Sequence, residues 1–263
     1  MSGSDLVFVV GRQRSGTTVF RDLLQSNGAI DCNEIFHGDL TADFRFYKFV
    51  AEKISSHLKY IHPENHEELF YEYIEDIRNK TQKNRIIFDV KYFSLDSIPT
   101  RGDSLIGIPF IFKYIKENDC SVIHIIRKNK LKVFVSEEIA NKTGIWSASD
   151  EDSLLNKEEK KINIDVDVLI EFINSENKKD NVVSILMDSI KNNYRLYYES
   201  MFSSENLFSQ ESISIASQVM NKDIDIMHAG NLKMNPEGLE DLVYNYEEVY
   251  YSLKGTRYEW MLY

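Results

Sequence analysis

The stretch Leu6-Val-Phe-Val-Val-Gly-Arg-Gln-Arg-Ser-Gly-Thr-Thr18 decides the fold. Leu6 to Val10 form an unbroken apolar run rich in β-branched side chains. Such a run predicts a central strand of a parallel sheet, buried on both faces. Gly11 ends the strand. From Thr17 to Leu24 the apolar residues Val19, Phe20, Leu23 and Leu24 recur at helical spacing, so a helix follows a tight turn.

A strand, a glycine turn and a helix together make an anion cradle. The amides at the helix N-terminus point at the anion, and the helix dipole adds favourable potential. Gly11 and Gly16 are spaced as the two glycines of a Walker A nucleotide loop are. That loop continues with Lys and then Ser or Thr, whereas Thr17 stands here in the lysine's place. The positive charges instead precede the second glycine, at Arg12 and Arg14. A small-molecule kinase would lack its β/γ-phosphate cation, and no magnesium carboxylate is evident.

Outward from this segment, helical periodicity returns at 45–60 and 67–79. A strand is predicted at Ile86–Val90, and a helix at 109–117 opened by Pro109. Ser121–Ile126 is a second buried strand, followed by Asn129 in an N-cap position and a helix over 130–142. Residues 147–161 are polar and charged and are expected to form a mobile surface loop. Helices are predicted near 166–176 and 181–192, a strand at 195–198, and helices near 209–220 and 238–252. Strands alternating with helices define an α/β chain: one domain, 1–263, with a three-layer, P-loop-like fold and a central parallel sheet flanked by helices.

Two further segments carry the pattern of the first. Ile123-His-Ile-Ile-Arg-Lys-Asn-Lys-Leu-Lys-Val-Phe-Val-Ser136 is a strand ending in basic residues, then a helix bearing a serine. Leu253-Lys-Gly-Thr-Arg-Tyr-Glu-Trp260 is a basic, glycine-containing C-terminal segment. With Arg14-Ser-Gly-Thr-Thr18, these resemble the sulfotransferases that use 3′-phosphoadenosine-5′-phosphosulfate (PAPS), in particular the bacterial branch related to trehalose-type enzymes. The resemblance implies PAPS as sulfuryl donor and its desulfated form, PAP, as product. It assigns Arg14 to the bridging oxygen and sulfonate, and Ser15, Gly16, Thr17 and Thr18 to the 5′-phosphate, with Arg12 and Gln13 in the same loop. It assigns Arg127 or Lys128, together with Ser136, to the 3′-phosphate, and brings Lys254, Gly255, Thr256 and Arg257 toward that phosphate. A fixed guanidinium facing the charge that grows on a leaving oxygen is worth roughly 3–4 kcal/mol in such sites.

Sulfuryl transfer to a hydroxyl or amine also needs a base within reach of the acceptor's proton. Glu34 and His37 follow the first helix, and the resemblance favours Glu34; histidine is a residue type suited to proton transfer, so His37 stays a candidate. Asp89 and Lys91 end a strand, where ligands gather in open α/β sheets, and Lys91 is expected to steady the sulfonate or the acceptor. No metal is expected. His62 and His66 are four residues apart, but Pro63 between them argues against one helix through both. His124, in mid-strand, reads as a core histidine.

The chain has 263 residues and a net charge of −11, which disfavours nucleic acid and anionic membranes as partners. Its two cysteines, Cys32 and Cys120, form no disulfide framework or zinc spacing. The absence of a signal segment or long apolar run predicts a cytoplasmic protein without membrane insertion. The expected partner is a small-molecule, sugar or lipid-type acceptor, with a homodimer left open. A nucleotide-binding module without chemistry is the alternative outside the enzymes.

Overall fold

The computed structural model describes residues 5–81, 85–99, 107–146, 157–204, 206–230 and 237–263. β1 (Leu6–Gly11), β2 (Ile30–Glu34), β3 (Ile86–Lys91), β4 (Ser121–Ile126) and β5 (Asn193–Tyr197) form one sheet in the order β2-β3-β1-β4-β5. All four pairings are parallel. Parallel neighbours need crossovers, and helices supply them. α1 (Thr17–Ser26) joins β1 to β2. α2 (Phe46–Ser56) and α3 (His66–Thr81) lie between β2 and β3, and α4 (Phe110–Glu117) between β3 and β4. α5 (Lys130–Thr143), α6 (Lys157–Lys160) and α7 (Val166–Met187) lie between β4 and β5. A short hairpin of β6 (Phe202–Ser204) and β7 (Leu207–Phe208) follows, then α8 (Gln210–Met220), α9 (Leu239–Leu242) and α10 (Tyr246–Leu253).

The unbroken apolar run of β1 is explained by two cores. Leu6, Phe8 and Val10 pack with residues of α2, α3, α4 and α7 on one face of the sheet. Val7 and Val9 pack with α1 and α8 on the other. A third cluster joins α5 and α7 to α9, α10 and the C-terminal residues Met261 and Leu262. The same alternation puts Ile86, Phe88 and Val90 of β3 on the first face. Asp89 and Lys91, one residue out of phase, therefore face α1.

The strand order places the site. The chain leaves β1 toward β2 and leaves β4 toward β5, so the connections diverge between these adjacent strands. Such a crevice at the carboxyl ends of the strands is the switch point where open α/β sheets bind ligands. The loop after β1 and the start of α5 both open there.

Several expectations need correction. β2 is a strand where only a segment following the first helix was expected. It is an edge strand, paired on one side alone, so it does not need an apolar run. The helices expected near 166–176 and 181–192 are one helix, α7, and residues 188–192 are turn. The helix expected at 45–60 ends at Ser56 and gives way to a 3₁₀ turn, Leu58–Ile61. The one expected at 238–252 is split into α9 and α10. Of the loop expected at 147–161, residues 147–156 lie outside the described residues, and Lys157–Lys160 form a helical turn. Cys32 and Cys120 are both free and buried. Among the described residues no helix is long and apolar enough to cross a membrane.

Candidate active site

The turn after β1 is shaped by two close approaches. At Gly11 a Cβ would lie 2.8 Å from the Ile125 carbonyl oxygen of β4, so only glycine lets the two strands run together to their ends. Gly16 has φ +91°, and a Cβ there would meet the Tyr198 ring at 2.6 Å. Arg14, two residues earlier, also has left-handed backbone, at φ 64°. Backbone N–H groups in such a turn converge into an anion-binding concavity. The Ser15 hydroxyl donates to the Arg12 carbonyl at 2.6 Å and locks the turn. Gly16 is the N-cap of α1; no side chain caps this helix and no acidic residue stands in its first turn.

Three cations surround this turn. Arg14 donates from Nε to Ser136 Oγ on α5 at 2.9 Å, and also to the Trp146 carbonyl oxygen. Arg127, from the end of β4, donates to the Arg14 carbonyl at 3.1 Å, and its guanidinium lies 4.5 Å from the centre of the Tyr198 ring. Among the described residues neither guanidinium forms an ion pair with a carboxylate. Burial, and then repulsion from Arg127, holds Arg14 below the usual arginine range. Burial does the same to Arg127. Two half-buried guanidiniums that repel each other stabilise an incoming anion more than either would alone.

The third cation is Lys91, whose side chain is 3% exposed. Its ammonium donates to Thr17 Oγ1 at 2.5 Å and to Asp89 Oδ2 at 2.8 Å, and Glu34 Oε1 lies 3.7 Å away. Thr17 occupies the lysine position of a Walker A loop, and the tertiary structure brings a lysine to that very side chain from the neighbouring strand. Asp89 is also held by Arg21 Nε at 3.0 Å. Arg21 pairs with Asp31 and donates to Asn33 Oδ1 at 3.2 Å.

Arg12 faces elsewhere. It pairs with Glu137 at 2.5 Å and Glu176 at 2.7 Å and lies over the Phe172 ring, so its charge is already neutralised. It ties the loop to α5 and α7. Gln13 contributes its carbonyl, which accepts from Arg12 at 3.3 Å, and Thr18 is exposed.

The start of α5 differs from that of α1. The Asn129 side chain accepts from the Lys132 amide at 2.9 Å. The Glu199 carboxylate accepts from the amides of Lys128 and Asn129 at 3.1 and 2.9 Å. Lys128 directs its ammonium over the Tyr197 ring, 3.6 Å from its centre. Of the two adjacent cations, Arg127 is therefore the one brought to the first loop. Beneath it runs a buried chain. Lys130 donates to the Arg127 carbonyl at 2.7 Å and to Asp180 at 2.5 Å, and Tyr92 donates to Asp180 at 2.7 Å. The Tyr92 oxygen is 2.5 Å from His124 Nε2. With the phenol proton on Asp180, the imidazole presents Nε2–H to Tyr92 and is neutral. Burial, then Arg195 and Lys130, pushes the His124 pKa down to about 3.

Glu34 reaches the site through a β-bulge. Asp31 pairs with Ile87 and Glu34 with Asp89, so β2 carries one extra residue, and Asn33 is left-handed at φ 57°. Bulges re-aim side chains in this way beside functional sites. His37 is exposed, and its Nδ1 accepts from the Asp39 amide at 3.0 Å. That bond occupies the nitrogen that would take a proton, and no contact joins His37 to Lys91 among the described residues.

The C-terminal basic segment is not brought to either loop by its hydrogen bonds. Lys254 lies over Tyr250, the Gly255 amide donates to Glu259, the Thr256 hydroxyl to the Leu253 carbonyl, and Arg257 to Asn174 on α7. Residues further on make the link: the carbonyls of Met261 and Tyr263 accept from Asn129 and Lys132 at 2.9 and 2.8 Å. Tyr198, Glu199 and Arg21 were not singled out in the sequence. The only signal for the first two was their place at the end of a strand; for Arg21 it was a charge four residues after Thr17 on a helix whose other inward positions are apolar.

Fold and site together define a three-layer α/β protein with a glycine-shaped turn and three cations at the switch point of its sheet. No protein-family model matches the chain, and no curated protein matches it. Among solved structures the chain is similar to the sulfotransferase domain from the Synechococcus PCC 7002 olefin synthase, at 12% identity and a TM-score of 0.40. That match covers 84% of this chain and 74% of the other.

Proposed function

We propose that this protein is a sulfotransferase that takes the sulfuryl group of PAPS and passes it to a hydroxyl or amine of a small-molecule acceptor. One observation carries the proposal. Arg14 and Arg127, from the loop after β1 and the end of the adjacent β4, meet beside the uncapped start of α1 with no carboxylate partner among the described residues. That arrangement suits a polyanionic donor with phosphates on both sides of the crevice. Lys91 would meet the 5′-phosphosulfate from the flank.

In this reaction the acceptor oxygen or nitrogen attacks sulfur and forms the new bond. The bond from sulfur to the bridging phosphate oxygen breaks, and PAP leaves with that electron pair. Arg14 and Lys91 stand where the charge grows on the leaving oxygen. The acceptor's proton passes to the Glu34 carboxylate, which lies 3.7 Å from the Lys91 ammonium and is the more exposed of the two. Glu199 and the Asn129 side chain already take the amides of Asn129 and Lys132, so the side chains of Arg127 and Ser136 would carry most of the recognition of the 3′-phosphate.

Titration calorimetry with PAP and with ATP tests the proposal. PAP is expected to bind without magnesium, and more tightly than ATP. Magnesium-dependent ATP binding with no PAP binding would overturn it in favour of a phosphotransferase. Turnover that survives Glu34→Ala would move the base to another residue.

A further inference from the structure

We infer that Asp89, anchored by Arg21, is a positioning residue that holds the Lys91 ammonium at the anion cradle. Strand β3 thereby delivers from the side the cation that the loop itself lacks. The inference rests on the proposed donor and adds two residues, Asp89 and Arg21, that the donor does not touch.

A lysine on its own is a mobile point charge with four rotatable carbons. Lys91 has lost that freedom. An ammonium carries three N–H groups. One donates to Thr17 Oγ1 and one to Asp89 Oδ2 at 2.8 Å. Both acceptors are rigid. Thr17 opens α1 directly after the Gly16 turn, and Asp89 lies in a strand paired on both sides, by β1 and β2. Two anchored bonds on a tetrahedral nitrogen fix the direction of the third. Glu34 Oε1, at 3.7 Å, is beyond hydrogen-bond distance, so that third N–H is not committed to it.

Asp89 needs support of its own, because a buried carboxylate is costly unless paired. Arg21 supplies it: its Nε lies 3.0 Å from the same Oδ2 that accepts from Lys91. Asp31 and Asn33 on β2 hold Arg21 in turn. The spacing makes this a two-rung ladder. Thr17 and Arg21 are one turn apart on α1, and Asp89 and Lys91 are two residues apart on one face of β3. Thr17 meets Lys91 at the upper rung, and Arg21 meets Asp89 at the lower.

A double-mutant cycle read by PAP calorimetry tests whether Asp89 acts through Lys91. Lys91→Met is expected to weaken PAP about 20-fold, and Asp89→Ala about tenfold. Asp89→Asn keeps an acceptor for Lys91 and is expected to stay within about threefold of the wild type. In the Lys91→Met background, Asp89→Ala should add no more than about twofold, because its effect runs through a group already gone. Additive penalties, or unchanged PAP affinity in Asp89→Ala, overturn the inference and leave the donor assignment standing. A wild-type protein that does not bind PAP overturns both. Should Asp89→Ala fail to fold, Lys91→Arg decides. It keeps the charge, but its planar fork cannot take the two-point mooring, so PAP should weaken about as much as in Lys91→Met. Wild-type affinity in Lys91→Arg would reduce Lys91 to a plain charge and overturn the positioning role.

Discussion

α1 and α5 start at the same edge of the same sheet, after adjacent strands, yet their first turns are built for opposite ends. α1 opens on a left-handed glycine with no side-chain cap. α5 opens on Asn129, which caps it, and on the Glu199 carboxylate, which takes two amides. A helix start is a ready anion site only while its amides remain uncommitted. No side chain caps the first helix, whereas at the second the amides of Asn129 and Lys132 are taken by Glu199 and by the Asn129 side chain. The difference teaches that two similar strand-to-helix turns need not present the same groups: α1 leaves its first amides without a side-chain partner, and α5 has already used part of its own.

Substitutions should separate the two. The largest effect is expected at the α1 turn, where Arg14→Ala removes a half-buried cation. PAP affinity should fall about 10- to 100-fold, equivalent to about 1.5–3 kcal/mol for a charged hydrogen bond, measured by calorimetry. Gly16→Ala comes next. A side chain at φ +91° is strained and meets Tyr198, which costs roughly 1–2 kcal/mol from the backbone alone. PAP affinity should drop about tenfold with the fold retained; undiminished binding would show that the turn's shape is not what holds the anion. At α5 the expected outcome inverts. Glu199→Ala should lower stability by about 1 kcal/mol and Tm by about 2–4 °C in a melting scan. PAP affinity should move by less than about twofold, and a large loss of binding there would make the two helix starts equivalent after all.

A further effect lies beneath α5 and depends on pH. The folded His124 is held down to about 3, against 6.5 in the unfolded chain. Between those values the unfolded state binds the extra proton, so this group's contribution is lost as pH falls below about 6.5. Tm should decline from pH 7 toward pH 4, and the decline should be shallower in His124→Gln. An unchanged slope would mean that the buried Tyr92–Asp180–Lys130 chain does not depend on a neutral imidazole.

The contrast between β1 and β2 shows how far the chain alone could be read. β1 announces itself because a central parallel strand is covered on both faces and every residue must be apolar. β2, Ile30-Asp-Cys-Asn-Glu34, pairs only with β3 and carries a bulge at its end. Its polar residues serve Arg21 and Lys91 instead of a core, and no local pattern marks them as a strand. α7 was divided in the sequence because its polar middle, around Glu176 to Asp180, looks like a break. Those residues are in fact the buried partners of Arg12 and Lys130.

The sequence by itself determined the alternation of strands and helices, the glycine turn at Gly11 to Gly16, and the absence of a lysine after it. These follow from local physics: apolar period, backbone sterics and residue type within a few positions. Only the tertiary structure decided which charges meet. Arg12 and Arg14 are two residues apart and read alike, yet one is neutralised by Glu137 and Glu176 and the other bonds only neutral groups, Ser136 and the Trp146 carbonyl, among the described residues. The lysine missing from the loop is supplied by a strand that is 74 residues away in sequence and adjacent in the sheet. Electrostatic partnership depends on distance in space and on burial, and neither is encoded in the spacing along the chain.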